Sequence, residues 1–493
     1  MAADPLDRTI LELQRRIRTA ADPMPILLEL GQLCLRRHRT EEVLSSCRQL
    51  IDSGRASPVL HFNYGWFAKQ AGKPQLALDQ YARALAAGIA QPEEVHLNRA
   101  NIFSDLLLDS GSALVELETA IRLNAAYLPA WLNLGNLYEQ IGDVEKARAA
   151  FSRCLDIDPR HSTALARLAD SMDFGLESEQ HPTVQKRLES LAAVVQDADL
   201  RFSLGRAAEG RGDYDAAWGH YRAANELDRS ANPPYSAESV DRWVDHLIKI
   251  CDASWLKKYS TSQVFSPTFI CGSFRSGSTL LEQMLAAHSA FVPGGELEFV
   301  PRLVDREFPN YPLHLENLRA SRVSTWANAY RAEIPIAVPK GAQFTDKRPD
   351  NLFYLGLIKV MFPRAKILVT LRDWRDSAVS IFATRLAPRF SYATDISDIR
   401  HQLHVQARLI QHWSELFAGD LQIVRYEELI DNPRSVLEGV LGSYGLRWEE
   451  ECLNFHRSSR PVRTASVLQV RSPLHKNSVR RWQRFERYVP ADL

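Results

Sequence analysis

The stretch from residue 268 to 296, TFICGSFRSGSTLLEQMLAAHSAFVPGGE, limits the fold of this chain more than any other. An apolar, β-branched run at residues 268–271 ends at Gly272, a loop rich in glycine and serine follows, and residues 280–287 place apolar side chains at helical spacing. This order predicts a strand, a phosphate-binding loop and a helix. Such a loop turns consecutive N–H groups and the positive end of a helix dipole toward an anion. A tight turn that binds nothing is the simpler alternative.

The loop departs from the ATP-binding motif G-x-x-x-x-G-K-[ST] at one position. Gly272 and Gly277 have the required spacing, but Ser278 stands where the motif has its lysine, and Arg275 lies inside the loop. Because that lysine holds the β- and γ-phosphates of a nucleoside triphosphate, its absence predicts a different phosphate-bearing donor. A nucleotide kinase or triphosphatase remains an alternative, which a requirement for Mg²⁺ would favour.

Composition narrows the class of protein. A chain of 493 residues with 45% hydrophobic residues can bury the cores of two or more domains. The 60 basic and 60 acidic residues cancel, which argues against nucleic acid or an anionic membrane surface as a partner. The six cysteines lack C-x-x-C spacing, no ligand cluster is visible, and residues 1–18 have no signal-peptide core. We therefore expect no metal site, no membrane span and a cytoplasmic protein.

The first half repeats itself with a period near 34 residues, as the spacings from Gly31 to Gly65 and from Ala113 to Ala147 indicate. Residues 128–161 carry seven residues at the offsets of a tetratricopeptide repeat: Trp131, Leu134, Gly135, Tyr138, Ala147, Phe151 and Pro159. The pattern predicts an α-solenoid of stacked helix pairs over residues 20–232. Its concave face is expected to recruit a peptide or protein, with a homodimer interface or a scaffold as the alternatives.

The second half has the pattern of an α/β domain. Apolar runs at residues 365–371 and 421–424, with helical patterns between them, predict buried strands of a parallel sheet. Ligands of such sheets lie beyond the carboxyl ends of the strands, where this chain has Arg275, Arg372 and Tyr426. We expect a connecting helix over residues 233–260 and the catalytic domain over residues 261–493.

These residues resemble those of the sulfotransferases that use 3′-phosphoadenosine-5′-phosphosulfate (PAPS). Within that group they are most similar to the tyrosylprotein sulfotransferases and their bacterial relatives with tetratricopeptide repeats. The resemblance implies that the 5′-phosphosulfate is bound by Arg275, Ser276, Gly277, Ser278 and Thr279. It also implies that Arg372 and Ser380 bind the 3′-phosphate, and we expect Ser380 near the start of the helix that follows the strand.

The resemblance further implies the catalytic residues. Glu296 lies twenty-one residues after Arg275, at the position of the family's catalytic glutamate, and would accept the proton of the acceptor hydroxyl. Lys347, in TDKRPDN, matches the lysine that meets the bridging oxygen between phosphate and sulfur, where leaving charge gathers. Ser466, in TASVLQV, matches a serine that contacts the same region.

Two neighbouring residues are rivals for these roles, and one residue of the family is missing. Glu298 lies two residues after the proposed base, and Arg348 directly follows the proposed lysine. The tyrosylprotein enzymes carry a second arginine twelve residues after the first residue of the 3′-phosphate pair, whereas this chain has Thr384 there and Arg385 one place later. The contacts to the 3′-phosphate are therefore expected to be rearranged, and the acceptor need not be tyrosine.

The carboxyl-terminal segment is strongly basic. Residues 457–487 contain nine Lys/Arg and one acidic residue, which could indicate nucleic-acid binding. SPLHKNSVRRW is instead similar to the family's carboxyl-terminal cofactor segment, which implies that Arg480 and Trp482 contact the donor as part of a lid. Tyr426, in VRYEEL, resembles a residue near the 3′-phosphate and adenosine, with core packing as the alternative.

Together these features predict an α-helical repeat array joined to a P-loop-like α/β sulfotransferase domain. The predicted reaction is transfer of a sulfuryl group from PAPS to a hydroxyl, with tyrosine in a peptide or protein as the first choice of acceptor. A carbohydrate or small-molecule hydroxyl is one alternative. A repeat-based adaptor with an inactive nucleotide-binding-like domain is the other, and failure to bind 3′-phosphoadenosine-5′-phosphate would favour it.

Overall fold

The structure is a computed structural model that describes residues 5–37, 39–172, 181–334, 336–458, 460–464, 467 and 469–489. The chain divides into two compact units, residues 1–137 and 138–493. The domain bounds expected from the sequence follow pattern rather than packing and stay a prediction. Within the described part of residues 5–259, the helices are α1 (Pro5–Thr19), α2 (Met24–Arg36), α3 (Thr40–Asp52), α4 (Pro58–Gln70), α5 (Pro74–Ala86), α6 (Pro92–Asp105), α7 (Ser110–Leu123), α8 (Leu128–Ile141), α9 (Val144–Ile157), α10 (Ser162–Asp170), α11 (His181–Ala192), α12 (Ala198–Gly210), α13 (Tyr214–Ala231), α14 (Ala237–Ile250) and α15 (Ala253–Tyr259).

The repeat period governs where these helices begin and how closely they pack. Asp109, Asp143 and Asp213 each precede the second helix of a pair and accept a hydrogen bond from a first-turn amide, which satisfies a donor that the helix leaves unpaired. A Cβ added at Gly65 would lie 2.9 Å from the Tyr81 ring, so only glycine lets α4 approach α5 this closely. The predicted helical repeats are confirmed.

Within the unit of residues 138–493, repeat helices pack against helices of the α/β domain. Trp218 of α13 stacks on Phe382 at 4.6 Å and on Tyr488 at 4.8 Å between ring centroids. These rings belong to one buried cluster that also contains Phe202 of α12 and Phe485 near the carboxyl terminus. Burial of such large aromatic rings stabilises this packing by several kcal/mol in total, at about 25 cal/mol per Å² of apolar surface.

The predicted connecting helix is two helices, α14 and α15. The chain turns at Asp252, whose carboxylate caps α15 by accepting a hydrogen bond from the Trp255 amide at 2.7 Å. Val244 and Leu247 of α14 are completely buried, and they and Trp255 belong to the same core as the sheet residue Phe269. These helices therefore pack on the α/β domain.

The second half alternates strands and helices, as predicted. Its elements are β1 (Thr268–Gly272), α16 (Ser278–Ala286), β2 (Phe291–Pro293), α17 (Phe299–Glu307), α18 (Ala320–Ala332), β3 (Gln343–Lys347), α19 (Leu355–Met361), β4 (Lys366–Leu371), α20 (Trp374–Phe382), α21 (Ile396–Leu416), β5 (Leu421–Arg425), α22 (Tyr426–Asp431) and α23 (Pro433–Gly442). Short 3-10 helices lie at Leu313–Asn317, Pro349–Tyr354, Ser391–Thr394, Glu450–Arg457, Gln469–Arg471 and Arg481–Tyr488.

The five strands form one parallel sheet in the order β2-β3-β1-β4-β5. The three strands expected from apolar runs, now β1, β4 and β5, are confirmed. The sequence did not reveal β2 and β3, because β2 has three residues and β3 reads QFTDK, which is too polar for a buried strand signal. No helix of the described residues is long and apolar enough to cross a membrane.

Candidate functional site

The parallel sheet brings the predicted site residues to one edge, at the carboxyl ends of its strands. β1 runs into the loop that carries Arg275, β4 is followed by Arg372, and β5 is followed by Tyr426. Lys347 is the last residue of β3 and pairs in register with Ile270 of β1. Glu296 lies three residues after the end of β2.

The loop between β1 and α16 is braced from inside. The Ser276 hydroxyl donates to the Ser273 carbonyl and bonds the Thr370 hydroxyl, both at 2.6 Å. Gly277 has φ +97°, and a Cβ at this position would lie 2.5 Å from the Tyr426 ring, so glycine is required on both counts. Ser278 begins α16, whose first-turn amides have no acceptor within the helix. The loop backbone is therefore suited to bind an anion, while the Ser276 side chain holds the loop to β4 through Thr370.

Thr279 and Tyr426 lie at the border of this loop. The Thr279 hydroxyl donates to the Thr464 hydroxyl at 3.3 Å. Tyr426 is buried, and the Arg372 guanidinium lies 4.7 Å from its ring centroid. Tyr426 thus packs against both the loop glycine and a candidate phosphate ligand. Core packing and a place beside the donor are therefore compatible interpretations of this residue.

Arg275 lies at the centre of the loop in the left-handed region, with φ +66°. Its Nε donates to the Ser380 hydroxyl at 3.0 Å and its Nη2 donates to the Gln469 side-chain oxygen at 2.9 Å. Both of these partners are neutral. Burial, together with the nearby Arg372 and Arg481 guanidinium groups, lowers the pKa of Arg275 to about 9. An anion bound here would relieve that repulsion.

Arg372 holds the loop and the carboxyl-terminal segment together. Its Nη1 donates to the Arg275 carbonyl at 3.0 Å, and its Nη2 donates to the Ser478 carbonyl. Its Nε is buried and has no hydrogen-bond partner among the residues that the structure describes. Burial lowers the pKa of this guanidinium. A buried, unsatisfied donor beside a second cation fits an anionic group such as phosphate.

One expectation about the 3′-phosphate region needs correction. Ser380 does not lie near the start of its helix, because Asp373 caps α20 and the helix begins at Trp374, so Ser380 falls in the last turn. Its hydroxyl contacts the Arg275 side chain. Arg385, one place after the missing family arginine, forms salt bridges with Asp228 and Asp199 on the repeat helices α13 and α12.

The two candidate carboxylates and the two candidate cations form two separate ion pairs. Lys347, which is completely buried, places its Nζ 2.5 Å from Glu296 Oε1. Arg348 places its Nη1 2.7 Å from Glu298 Oε1 and also pairs with the buried Asp350 at 2.7 Å. Arg348 is thus paired with two carboxylates, Glu298 and Asp350, whereas Lys347 is paired with Glu296, whose side chain is 32% exposed.

β3 holds the glycine turn that carries Glu296. The Gly294 amide donates to the Thr345 carbonyl, and the Lys347 amide donates to the Gly295 carbonyl, both at 2.8 Å. A Cβ at Gly294 would lie 2.5 Å from the Thr345 carbonyl oxygen, so only glycine allows this contact. The backbone of β3 thus sets the distance between the carboxylate and the ammonium group.

Glu282 is a site residue that sequence reasoning missed. It lies on α16, is almost completely buried, and its Oε1 accepts hydrogen bonds from the Gly295 amide and the Thr345 hydroxyl, both at 3.1 Å. Burial raises the pKa of Glu282 to about 7, which the positive charge of Lys347 opposes. The available signal was a carboxylate within STLLEQMLA, a helix whose nine residues are all buried.

The carboxyl-terminal segment returns to the start of α20. Asp376 accepts hydrogen bonds from the backbone amides of Arg480 at 2.7 Å and Trp482 at 2.9 Å, and the Arg375 guanidinium lies 3.8 Å from the Trp482 ring. The Arg480 side chain is exposed. Both residues are therefore close to Arg372, though their contacts here are backbone and stacking contacts. Ser466 lies outside the described residues.

We predict that Glu282→Gln makes stability less dependent on pH. Because burial raises the pKa of Glu282 from 4.5 to about 7, its protonated form stabilises the fold at low pH. That contribution is lost as pH rises between these two values. The difference in unfolding free energy between variant and wild type should shift in favour of the variant by roughly 3 kcal/mol from pH 4.5 to pH 8. Urea unfolding across this range measures it.

The exposed Glu415→Gln is the matched control and should show no such trend. Asp346, whose pKa burial also raises to about 7, is common to all three proteins and cancels from the comparison. Parallel stability profiles for wild type and Glu282→Gln would contradict the prediction.

Comparison with known proteins agrees with this geometry. Residues 267–450 match the model of the Sulfotransferase family, and residues 129–161 match that of the Tetratricopeptide repeat. A protein of Aquifex aeolicus without assigned function is 29% identical over 394 residues, 74% of this chain and 49% of that protein. Protein-tyrosine sulfotransferase 1 of Danio rerio is 26% identical over 197 residues, 38% of this chain and 55% of that protein. The chain thus spans about half the length of each relative.

Two solved structures align with parts of this chain. The sulfotransferase domain from the Synechococcus PCC 7002 olefin synthase aligns with 48% of this chain and 93% of its own length, at 20% identity and a TM-score of 0.36. A tetratricopeptide repeat protein from Parabacteroides merdae aligns with 45% of this chain and 86% of its own length, at 16% identity and a TM-score of 0.33. The family matches thus mark a sulfotransferase-like region at residues 267–450 and a tetratricopeptide repeat at residues 129–161.

Proposed function

We propose that this chain transfers a sulfuryl group from PAPS to the phenolic hydroxyl of tyrosine in a peptide or protein. The observation that carries the proposal is the Glu296–Lys347 pair, with 2.5 Å between Oε1 and Nζ, at the same sheet edge as the phosphate loop. A base and a cation beside an anion-binding loop are the groups that an in-line displacement on sulfur needs. The match of residues 267–450 to the Sulfotransferase family model supports this class of reaction.

The donor fits the residues at the end of the sheet. Arg275 and the first amides of α16 would hold the 5′-phosphosulfate, and Arg372, with its buried unsatisfied Nε, would hold the 3′-phosphate. When bound, PAPS supplies a sulfuryl group attached to a phosphate leaving group. Ser380 would position the Arg275 guanidinium, because its hydroxyl accepts from Nε at 3.0 Å. Ser466, Arg480 and Trp482 remain proposed contacts.

Glu296 and Lys347 would act as a coupled pair. Before reaction, the carboxylate and the ammonium group balance each other's charge at 2.5 Å. As Glu296 takes the proton of the acceptor hydroxyl, its negative charge disappears. The positive charge of Lys347 is then directed at the leaving oxygen at the moment when negative charge develops there, which stabilises the transition state more than the ground state.

The acceptor is the part of the proposal that most needs an experiment. Tetratricopeptide arrays commonly bind peptides or proteins, so we propose that the array recruits the acceptor. Purified protein would be incubated with ³⁵S-labelled PAPS and four acceptors: a tyrosine peptide, the same peptide with phenylalanine, a small phenol and an oligosaccharide. We expect label on the tyrosine peptide and, more slowly, on the phenol. Label on the oligosaccharide alone would overturn the tyrosine assignment, and no label with any acceptor would overturn the activity.

We predict that Arg372→Ala weakens binding of 3′-phosphoadenosine-5′-phosphate by about 10- to 100-fold, because a charge-assisted contact worth roughly 1.5–3 kcal/mol is lost. Adenosine-5′-phosphate, which lacks the 3′-phosphate, should bind with little change. Arg434→Ala, which removes an exposed cation paired with Glu438, is the control and should alter neither ligand by much. Equal weakening of both ligands by Arg372→Ala would assign Arg372 to holding the Arg275 and Ser478 carbonyls.

A further inference from the structure

The carboxyl-terminal end of α8, in the repeat region, is an anchor for a segment that reaches the phosphate loop. Gln140, in the last turn of α8, accepts a hydrogen bond from the Val462 amide on its carbonyl at 2.9 Å. The same carbonyl accepts from Arg471 Nη2 at 2.5 Å, and the Gln140 side-chain oxygen accepts from Arg463 Nε at 3.2 Å. The last carbonyls of a helix lack partners within it and carry partial negative charge, so arginine side chains are well suited to this end.

Arg471 is the centre of this anchor. Its guanidinium donates to three backbone carbonyls, those of Gln140, Ser458 and Arg460. Gly142, with φ +90°, lies directly against the side chain, since a Cβ there would be 3.0 Å from Arg471 Cδ and Nε. A planar fork with several donors can join three carbonyls, which an ammonium group on a flexible stem cannot do in the same way.

The segment then leads directly to the proposed donor site. Arg471 ends the short 3-10 helix Gln469–Arg471, and the middle residue, Val470, is buried in the core that also contains residues of α16. Gln469, at the start of the same turn, accepts a hydrogen bond from Arg275 Nη2 at 2.9 Å. Two contacts and one short 3-10 turn therefore connect the end of α8 to the Arg275 guanidinium.

We infer that Arg471 is a positioning residue that orients Arg275 through Gln469, using the end of α8 as its anchor. The inference rests on the proposed function, because it assigns Arg275 to the donor. In this arrangement the repeat region forms part of the support of the donor site, in addition to any role in recruiting an acceptor. A misplaced Arg275 guanidinium would weaken binding of the donor without altering contacts to the acceptor.

The test is a double-mutant cycle with Arg471→Ala and Gln469→Leu in the full chain. Binding of 3′-phosphoadenosine-5′-phosphate would be measured by calorimetry, and KM for donor and acceptor by kinetics. Each single variant should lower the affinity for the nucleotide by about tenfold, as expected for one lost hydrogen bond to a charged group. The double variant should bind the nucleotide no more weakly than either single variant. The KM for the acceptor should not change. The exposed Arg457→Ala, from the same basic segment, is the control and should bind like wild type.

Each outcome decides between the alternatives. Additive losses, or nucleotide affinity within about twofold of wild type in either single variant, would overturn the inference, since a merely structural arginine lowers stability without this coupling. Gln469→Leu leaves the Arg471 anchor intact, so unchanged affinity in that variant alone overturns the inference even where Arg471→Ala does not fold. Wild-type protein that binds no nucleotide would overturn the proposed function together with the inference, whereas normal wild-type binding with unaffected variants overturns the inference only.

Discussion

Glu296→Gln is expected to lower turnover by about 10²-fold or more, the usual range for a lost general base, while binding of 3′-phosphoadenosine-5′-phosphate changes little. The amide cannot accept the proton of the acceptor hydroxyl. It can still accept a hydrogen bond from the Lys347 ammonium group, so the local structure should be preserved. Steady-state kinetics with labelled PAPS and calorimetry of nucleotide binding measure the two effects.

Glu298→Gln is the matched control, because Glu298 is the neighbouring carboxylate and is paired with Arg348 at 2.7 Å. Glu298 is 53% exposed, so its removal should change stability by no more than about 1 kcal/mol and turnover by less than a few-fold. The opposite ranking, with full activity in Glu296→Gln and loss in Glu298→Gln, would move the base by two residues.

Lys347→Met is expected to lower turnover by about 10²- to 10³-fold, the range seen when a preorganised donor to developing charge is removed. Methionine fills similar volume at a completely buried position, so packing is largely kept. The Glu296 carboxylate left without its partner is one-third exposed and can be hydrated, so the loss of stability should stay modest. Kinetics and urea unfolding of the same preparation separate the two quantities.

Arg348→Met should show the reverse pattern and serves as the contrast. Its partner Asp350 is buried, with 9% of its side chain exposed, and would be left as an uncompensated charge. Breaking such a pair costs about 3–5 kcal/mol of stability. A folded Lys347→Met that turns over like wild type would remove the lysine from the mechanism. In the double variant Glu296→Gln/Lys347→Met the losses should be far from additive, because the two residues act as a unit.

Local signals in the sequence were sufficient for the architecture. The run of apolar residues before Gly272 and the glycine-serine loop after it predicted β1, the loop and α16, because each depends on residues close in the chain. The repeat offsets around Trp131 predicted paired helices for the same reason. Among the five strands, β2 and β3 were not predicted, β2 because of its length and β3 because of its polar composition.

The roles within the candidate site depended on contacts between distant residues. Four charged residues lie in two stretches of the sequence: Glu296, Glu298, Lys347 and Arg348. Neither stretch indicates which carboxylate pairs with which positively charged side chain. The pairing is decided by β3, which is laid against the glycine turn through backbone hydrogen bonds fifty residues apart in the chain. Glu282 became visible only because α16 packs its carboxylate against that turn.

The sequence by itself determined the helical repeats, three of the five sheet strands and the glycine-serine loop between β1 and α16, because periodicity and turn chemistry act over a few residues. Only the tertiary structure decided that Ser380 accepts a hydrogen bond from Arg275 and that Arg385 pairs with carboxylates of the repeat helices. It also decided that the end of α8 holds the segment beside Arg275. Those contacts join residues that are one hundred or more positions apart. Their geometry follows from how the sheet and the repeat helices pack, and no local pattern encodes it.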